Sequence, residues 1–275
     1  MNKEFRLKSN EGYVLDLSTY GFQNISKAPC LILVHGFKGF KDWGFFPFTA
    51  EHFAKCGYFV ITFNFSHNGI AGNDFNLFNV DSFAKNTVSL EISELVQVIN
   101  AYKNGFFGKE VYGKIGLVGH SRGGGVAILS SLIDKVDVYT AWASVARFDR
   151  YTERQKTEWR KQGYFEVINS RTNQMMRMDI DLLEDIEKNK QSSLSIEKAV
   201  KSLNRPLLIL HGTEDVTVPS AEAEMIYSWS NNNQTRFEKI PACGHTFDIV
   251  HPFAGCSEKF GQVLSLTTDF LLKVF

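Results

Sequence analysis

Neither sign of charge is in excess in this chain: 30 basic and 30 acidic residues cancel. No nucleic-acid partner and no membrane partner is therefore expected. Cysteine is scarce. Cys30, Cys56, Cys243 and Cys256 show no CxxC or metal-ligand spacing. They read as free, mostly buried thiols of a reducing compartment, with a Cys243–Cys256 bridge disfavoured. No apolar run reaches 18 residues, and Met1-Asn2-Lys3-Glu4-Phe5-Arg6 lacks the apolar stretch of a signal peptide. The expectation is a soluble, cytoplasmic protein. Internal repeats and low-complexity stretches are absent too. What remains is ordinary globular composition, 44% hydrophobic and 22% charged over 275 residues, enough for one large α/β domain. Phe is abundant, at 24 residues, which suggests a large aromatic core or an apolar pocket.

Residues 4–8 and 13–18 alternate polar and apolar around Asn10-Glu11-Gly12, a hairpin signal at a sheet edge. Cys30–Val34 and Tyr58–Phe65 are continuous apolar runs, as expected of strands buried on both faces. A polar loop follows the second through Gly72-Asn73-Asp74. Pro47–Lys55 reads as a helix, and Asp81–Lys103 as another, with Val88, Ile92, Leu95, Val96, Ile99 and Tyr102 on one face. Ile115–Val118 and Val138–Ala143 read as strands flanking a buried helix, Ser121–Asp134. Residues 150–203 are dense in charge. There Gly163–Ile168 and Thr172–Met178 are expected to pair across Asn169–Arg171, and Asp181–Lys190 and Ile196–Leu203 to be helical. Pro206–Leu210, Arg236–Ile240 and a closing helix, Glu258–Val274, resume the alternation. The pattern predicts a mostly parallel central sheet with helices on both faces, whose ligand sites gather at the carboxyl ends of the strands. Residues 1–149 and 204–275 would form this core, with 150–203 inserted into it.

The chain is organised around Gly119-His120-Ser121-Arg122-Gly123. A G-x-S-x-G run between a strand and a small-residue helix predicts a sharp turn that lifts the serine hydroxyl clear of the sheet. A serine hydroxyl is a poor nucleophile without a general base and an orienting acid. His245, after the last strand, is the expected base, and His251 the reserve. His120 should point away from the Ser121 side. Asp215, in the loop after Leu210, is the expected acid; Glu214 competes with it, and an Asx turn before Pro219 is the bland alternative. The expected oxyanion donors are the backbone N–H groups of Arg122 and Phe37, the latter in His35-Gly36-Phe37. A cation at a helix N-terminus is unfavourable, so Arg122 should have a carboxylate partner.

The ordered motifs His35-Gly36-Phe37, Gly119–Gly123, Gly212–Asp215 and Gly244-His245 resemble those of the α/β-hydrolase superfamily, over residues 4–275. Within it the chain is similar to small serine esterases of the dienelactone-hydrolase and prolyl-oligopeptidase-like branch, which includes cinnamoyl and feruloyl esterases. Ser121 departs from the cysteine nucleophile of dienelactone hydrolases proper. The resemblance implies an α/β-hydrolase fold with residues 150–203 as a lid. It also implies hydrolysis of a small-molecule carboxylic ester through an acyl-enzyme, with no metal or cofactor. Trp159, Tyr164, Phe165 and Met175 would line the acyl cleft, unless the insertion only holds its own mini-core. A peptidase or thioesterase is the nearest alternative, since the triad is indifferent to the leaving group; no room exists for a propeller domain. A binding protein that kept the fold and lost turnover is the rival from another class. A homodimer is left open.

Overall fold

The alternating N-terminus does form a hairpin: β1 (Lys3–Lys8) and β2 (Val14–Tyr20) pair antiparallel, Lys3 facing Thr19 and Lys8 facing Val14. The computed structural model describes residues 2–71, 74–108, 110–169 and 174–275. After the hairpin come β3 (Cys30–Val34), α1 (Phe46–Lys55), β4 (Phe59–Phe63) and a short pair, β5 (Ile70–Ala71) with β6 (Asp74–Phe78). Gly72 and Asn73, in the expected polar loop, lie outside the described residues. Then follow α2 (Val80–Ala84), α3 (Val88–Lys103), β7 (Ile115–His120), α4 (Arg122–Ser130) and β8 (Val138–Trp142). The insertion contributes α5 (Glu153–Gln162), β9 (Tyr164–Asn169), β10 (Gln174–Asp179), α6 (Ile180–Asn189) and α7 (Ile196–Ser202). The chain closes with β11 (Leu207–Gly212), α8 (Ser220–Trp229), β12 (Thr235–Ile240) and α9 (Glu258–Val274).

Eight strands share one sheet in the order β1-β2-β4-β3-β7-β8-β11-β12. The pairings from β4 to β12 are parallel; β2 meets both β1 and β4 antiparallel. This is the α/β-hydrolase fold. Because strand side chains alternate, each buried strand feeds two cores. Leu31, Leu33, Val60, Val118, Leu208 and Leu210 face α1 and α9, where Phe46, Phe53, Phe260 and Leu271 cover them. Cys30, Ile32, Ile61, Leu117, Leu207 and Ile209 face the opposite side, under Leu95, Val126, Val200 and Ile226 of α3, α4, α7 and α8. Continuous apolar strands are what this double burial requires. All four cysteines are free thiols, but only Cys30 and Cys243 are buried.

Several elements differ from expectation. The helix expected over Asp81–Lys103 is broken at Lys85–Thr87, because the Thr87 hydroxyl accepts from the Leu90 N–H and starts α3 afresh. The helix after the elbow stops at Ser130, and the chain tightens into i→i+3 bonds through Ile133. Leu132 and Ile133 are consequently exposed, not buried. Helices α5 and α8 were not expected. The first carries a capping box, Thr152 with Gln155, and ends on Gly163 in the left-handed conformation.

In the insertion, β9 and β10 pair antiparallel from Tyr164–Asp179 to Asn169–Gln174. Residues 170–173, which include the expected turn at Arg171, lie outside the described residues. The insertion is bound to the core along its length: β10 packs on α2, α6 on α3, and α7 on α4 and α8. Asp185 of α6 accepts from the Ser89 N–H at the start of α3. Its heavy charge is ordered around Lys156, which is buried among Asp149, Glu153 and Glu187.

Candidate active site

The elbow conformation follows from close approach. Ser121 has φ 58 and ψ −124, a region that side chains rarely adopt. A Cβ on Gly123 would collide with the carbonyl oxygens of Val34 and His35, and one on Gly119 with the backbone of Gly123. Strand and helix can cross here only without those side chains. The turn is pinned by the Ser121 N–H donating to the Trp142 carbonyl at 2.8 Å, and by the Val145 N–H donating to the Ser121 carbonyl at 3.3 Å.

Three expected residues meet. The Ser121 Oγ stands 3.0 Å from His245 Nε2, and His245 Nδ1 stands 2.7 Å from Asp215 Oδ2. A carboxylate only accepts, so Nδ1 carries the ring hydrogen and Nε2 is left to accept from the serine hydroxyl. The Asp215 side chain is fully buried. Its Oδ1 accepts from the Thr217 and Val218 N–H groups at 2.9 and 2.8 Å, so the Asx turn and the histidine contact are both present. His211, also fully buried, lies 3.3 Å from Oδ2. Burial alone would raise the Asp215 carboxyl, but the hydrogen bonds from His211 and His245 hold it well below the usual carboxylate range. Glu214 is exposed, and its backbone N–H donates to the Cys243 carbonyl. His251 accepts from the Gly44 N–H and stacks with Trp43.

His120 does turn away from the serine, but it has a task. Its Nε2 donates to the His245 carbonyl at 2.9 Å, and the two rings lie 4.8 Å apart. Burial, followed by the nearby His245, lowers the His120 pKa to about 3, so it stays neutral. It therefore steadies the histidine loop without adding a charge.

Arg122 has its carboxylate partner: Glu91 of α3, with Nε 2.8 Å from Oε2 and both side chains buried. Asn86 donates to the other Glu91 oxygen at 2.7 Å. The guanidinium also lies over the Phe37 ring, 5.5 Å from its centroid. A Cβ on Gly36 would stand 3.0 Å from Ser121 Cβ and 3.4 Å from Arg122 N, so the His35–Phe37 loop runs directly beside the elbow. His35 is buried, which lowers its pKa to about 4; its Nδ1 donates to the Gly36 carbonyl and its Nε2 accepts from the Phe65 N–H.

A cleft of about 560 Å³ opens over Ser121 and His245. Phe37 and Arg122 line it, as do Trp43, Phe46, Phe148 and Tyr151. Trp159, Tyr164, Phe165 and Met175 do not, and the expectation for these four is corrected. Trp159 is fully buried against Tyr151 and Phe165, Tyr164 lies beneath the Arg177 guanidinium, and Met175 is exposed. Composition marks a segment as amphipathic without saying which face meets the cleft. Residues 150–203 instead supply Arg150, Tyr151, Asn169 and Ile186. The signal that could have found Phe148 and Tyr151 is position, since they lie in the loop at the carboxyl end of β8. Among the described residues no group of His, Cys, Asp and Glu is arranged to hold a metal ion, and no helix is long and apolar enough to cross a membrane.

The profile of the prolyl oligopeptidase family matches residues 43–249, a span that includes Ser121, Asp215 and His245. The chain belongs to the prolyl oligopeptidase family. It is a hydrolase on the α/β-hydrolase scaffold. Est1E from Butyrivibrio proteoclasticus with ferulic acid bound superposes with a TM-score of 0.73 at 15% identity, covering 98% of both chains. A hydrolase from Agrobacterium vitis S4 gives 0.74 at 18%, covering 98% of this chain and 99% of its own. Mouse alpha/beta hydrolase domain-containing protein 10 gives 0.73 at 17%, covering 99% and 100%. At such identities these likenesses establish the shared fold. A comparison with curated proteins found no match.

Proposed function

We propose that this hydrolase cleaves carboxylic esters through a covalent acyl-enzyme. The observation that carries the reading is the unbroken hydrogen-bonded line from Ser121 through His245 to Asp215, open to the cleft at its serine end. Ser121 Oγ attacks the ester carbonyl as His245 Nε2 takes its proton. Asp215 stabilises the imidazolium formed and keeps its orientation. The oxyanion accepts from the backbone N–H groups of Phe37 and Arg122. The tetrahedral intermediate collapses as His245 returns the proton to the departing alcohol. Water, deprotonated by the same histidine, then releases the carboxylic acid and restores Ser121. The five aromatic side chains of Phe37, Trp43, Phe46, Phe148 and Tyr151 suit an apolar or aromatic acyl group, and a fold relative holding ferulic acid makes hydroxycinnamate esters a natural test.

Peptide hydrolysis is the second reading, favoured by the family's own name. The two separate on a substrate panel. Graded p-nitrophenyl and hydroxycinnamate esters should be turned over, and peptidyl p-nitroanilides should not. Ser121→Ala and His245→Ala should each abolish turnover, and a fluorophosphonate should label wild type stoichiometrically at Ser121. Asp215→Asn should cost about 10⁴-fold in kcat, as such a change does in other triads. Activity above a tenth of wild type in the Ser121 variant, or a severe loss in Glu214→Ala with none at Asp215, would overturn the assignment.

A further inference from the structure

The cleft walls carry charge of one sign. Lys38, Arg122, Arg147 and Arg150 line it, and among the described residues no Asp or Glu does. Most of these cations are engaged. Glu91 holds Arg122 at 2.8 Å. Arg150 pairs with Glu222 at 3.1 Å and donates to the Thr217 carbonyl at 2.8 Å. Lys38 donates to the Ile168 carbonyl at 3.2 Å. Arg147 differs: among the described residues it forms no ion pair, hydrogen bond or cation–π contact. An exposed arginine is ordinarily just solvated. This one stands on the wall of a cleft lined by Trp43, Phe46, Phe148 and Tyr151, and such low-dielectric walls strengthen the field of an uncompensated cation.

Its place in the chain brings it close to the reacting serine. Val145, two residues earlier, is hydrogen-bonded to the Ser121 carbonyl. Two residues span at most about 7 Å, so the Arg147 backbone stays near the elbow, and Arg147 lines the cleft that opens over Ser121. We infer that the ester taken by this site carries a carboxylate, and that Arg147 receives it while Ser121 attacks the ester carbonyl. The guanidinium fork matches a carboxylate edge-on through two N–H groups. The inference rests on the ester reading above and names its substrate class: half-esters of dicarboxylic acids, or esters of carboxylated alcohols.

Two matched pairs test it. One sets p-nitrophenyl hydrogen suberate against its methyl-capped diester, so that the charge sits on the acyl side. The other sets 4-carboxyphenyl butyrate against its methyl ester, so that the charge sits on the leaving group. kcat/KM is measured for wild type, Arg147→Gln and Arg147→Lys, normalised to active sites titrated with a fluorophosphonate. In one pair, Arg147→Gln should lower kcat/KM at least tenfold more on the anionic member than on the neutral one. Arg147→Lys should restore part of the difference, and rising salt should erode it in wild type. An equal response of anionic and neutral members in both pairs overturns this inference alone. Turnover of none of the four esters overturns the ester reading, and this inference with it.

Discussion

Removing the Glu91 carboxylate should damage stability and turnover together. In Glu91→Ala the Arg122 guanidinium is left in a site where only about a tenth of its side chain is exposed, with no counter-ion. The Asn86 amide loses its acceptor as well. Breaking a buried ion pair from one side costs roughly 3–5 kcal/mol. A chain of this length loses about 2 °C of Tm per kcal/mol, so the melting temperature should fall by about 6–10 °C. The same guanidinium lies over the Phe37 ring, and the Arg122 peptide N–H directly follows Ser121, so the ion pair is tied to the two residues that carry the proposed oxyanion donors. Losing one donor outright costs roughly 10²–10³ in kcat in other enzymes. Displacing the donors without removing them should cost about tenfold to a hundredfold. The double variant Glu91→Leu/Arg122→Met separates the two effects: it removes both charges, so most of the Tm should return while kcat stays low. Thermal unfolding followed by circular dichroism, together with burst kinetics on a p-nitrophenyl ester, reads both quantities. A Glu91→Ala protein melting within 2 °C of wild type with unchanged kcat would refute the reasoning.

Gly123→Ala should abolish labelling by fluorophosphonate and lower stability by several kcal/mol, because its Cβ meets the backbone oxygens of Val34 and His35, which cannot swing aside; retained labelling would count against the elbow geometry. Glu94 is fully buried, with Ser66 donating to it, and burial raises its pKa from 4.5 to about 7, so between those values the folded state keeps a proton that the unfolded state has released. Stability from this group is complete below pH 4.5 and is lost as pH rises to about 7, by a few kcal/mol; urea unfolding across that window should show the loss in wild type and its absence in Glu94→Gln.

The parts of the site that depend on neighbours in sequence were legible. Gly119 and Gly123 are spaced to let a strand and a helix cross, and continuous apolar runs such as Cys30–Val34 and Leu207–Leu210 are strands that feed two cores. The order Ser121, Asp215, His245 put three loops on one edge of the sheet. What depended on packing between distant elements was not legible. A carboxylate partner for Arg122 was required by charge, yet Glu91 is brought to it only by α3 lying against α4. Trp159 and Tyr151 are both large aromatics of one charged segment, yet Trp159 on α5 is fully buried while Tyr151, in the loop before it, meets the cleft. Helix α5 itself was readable from Thr152 and Gln155, but its charged surface carries no apolar stripe to draw attention to it.

The order of the strands has a consequence for when the chain becomes active. The elbow is complete once β3, β7 and β8 have joined, since its contacts are with Val34, His35 and Trp142. The base lies 124 residues beyond the serine, and its loop follows β12, the outermost strand, which pairs only with β11. During synthesis the serine therefore leaves the ribosome long before anything can deprotonate it. The last strand to be synthesised is the one that precedes the histidine loop, so a chain cut short of His245 carries the reactive turn without its base.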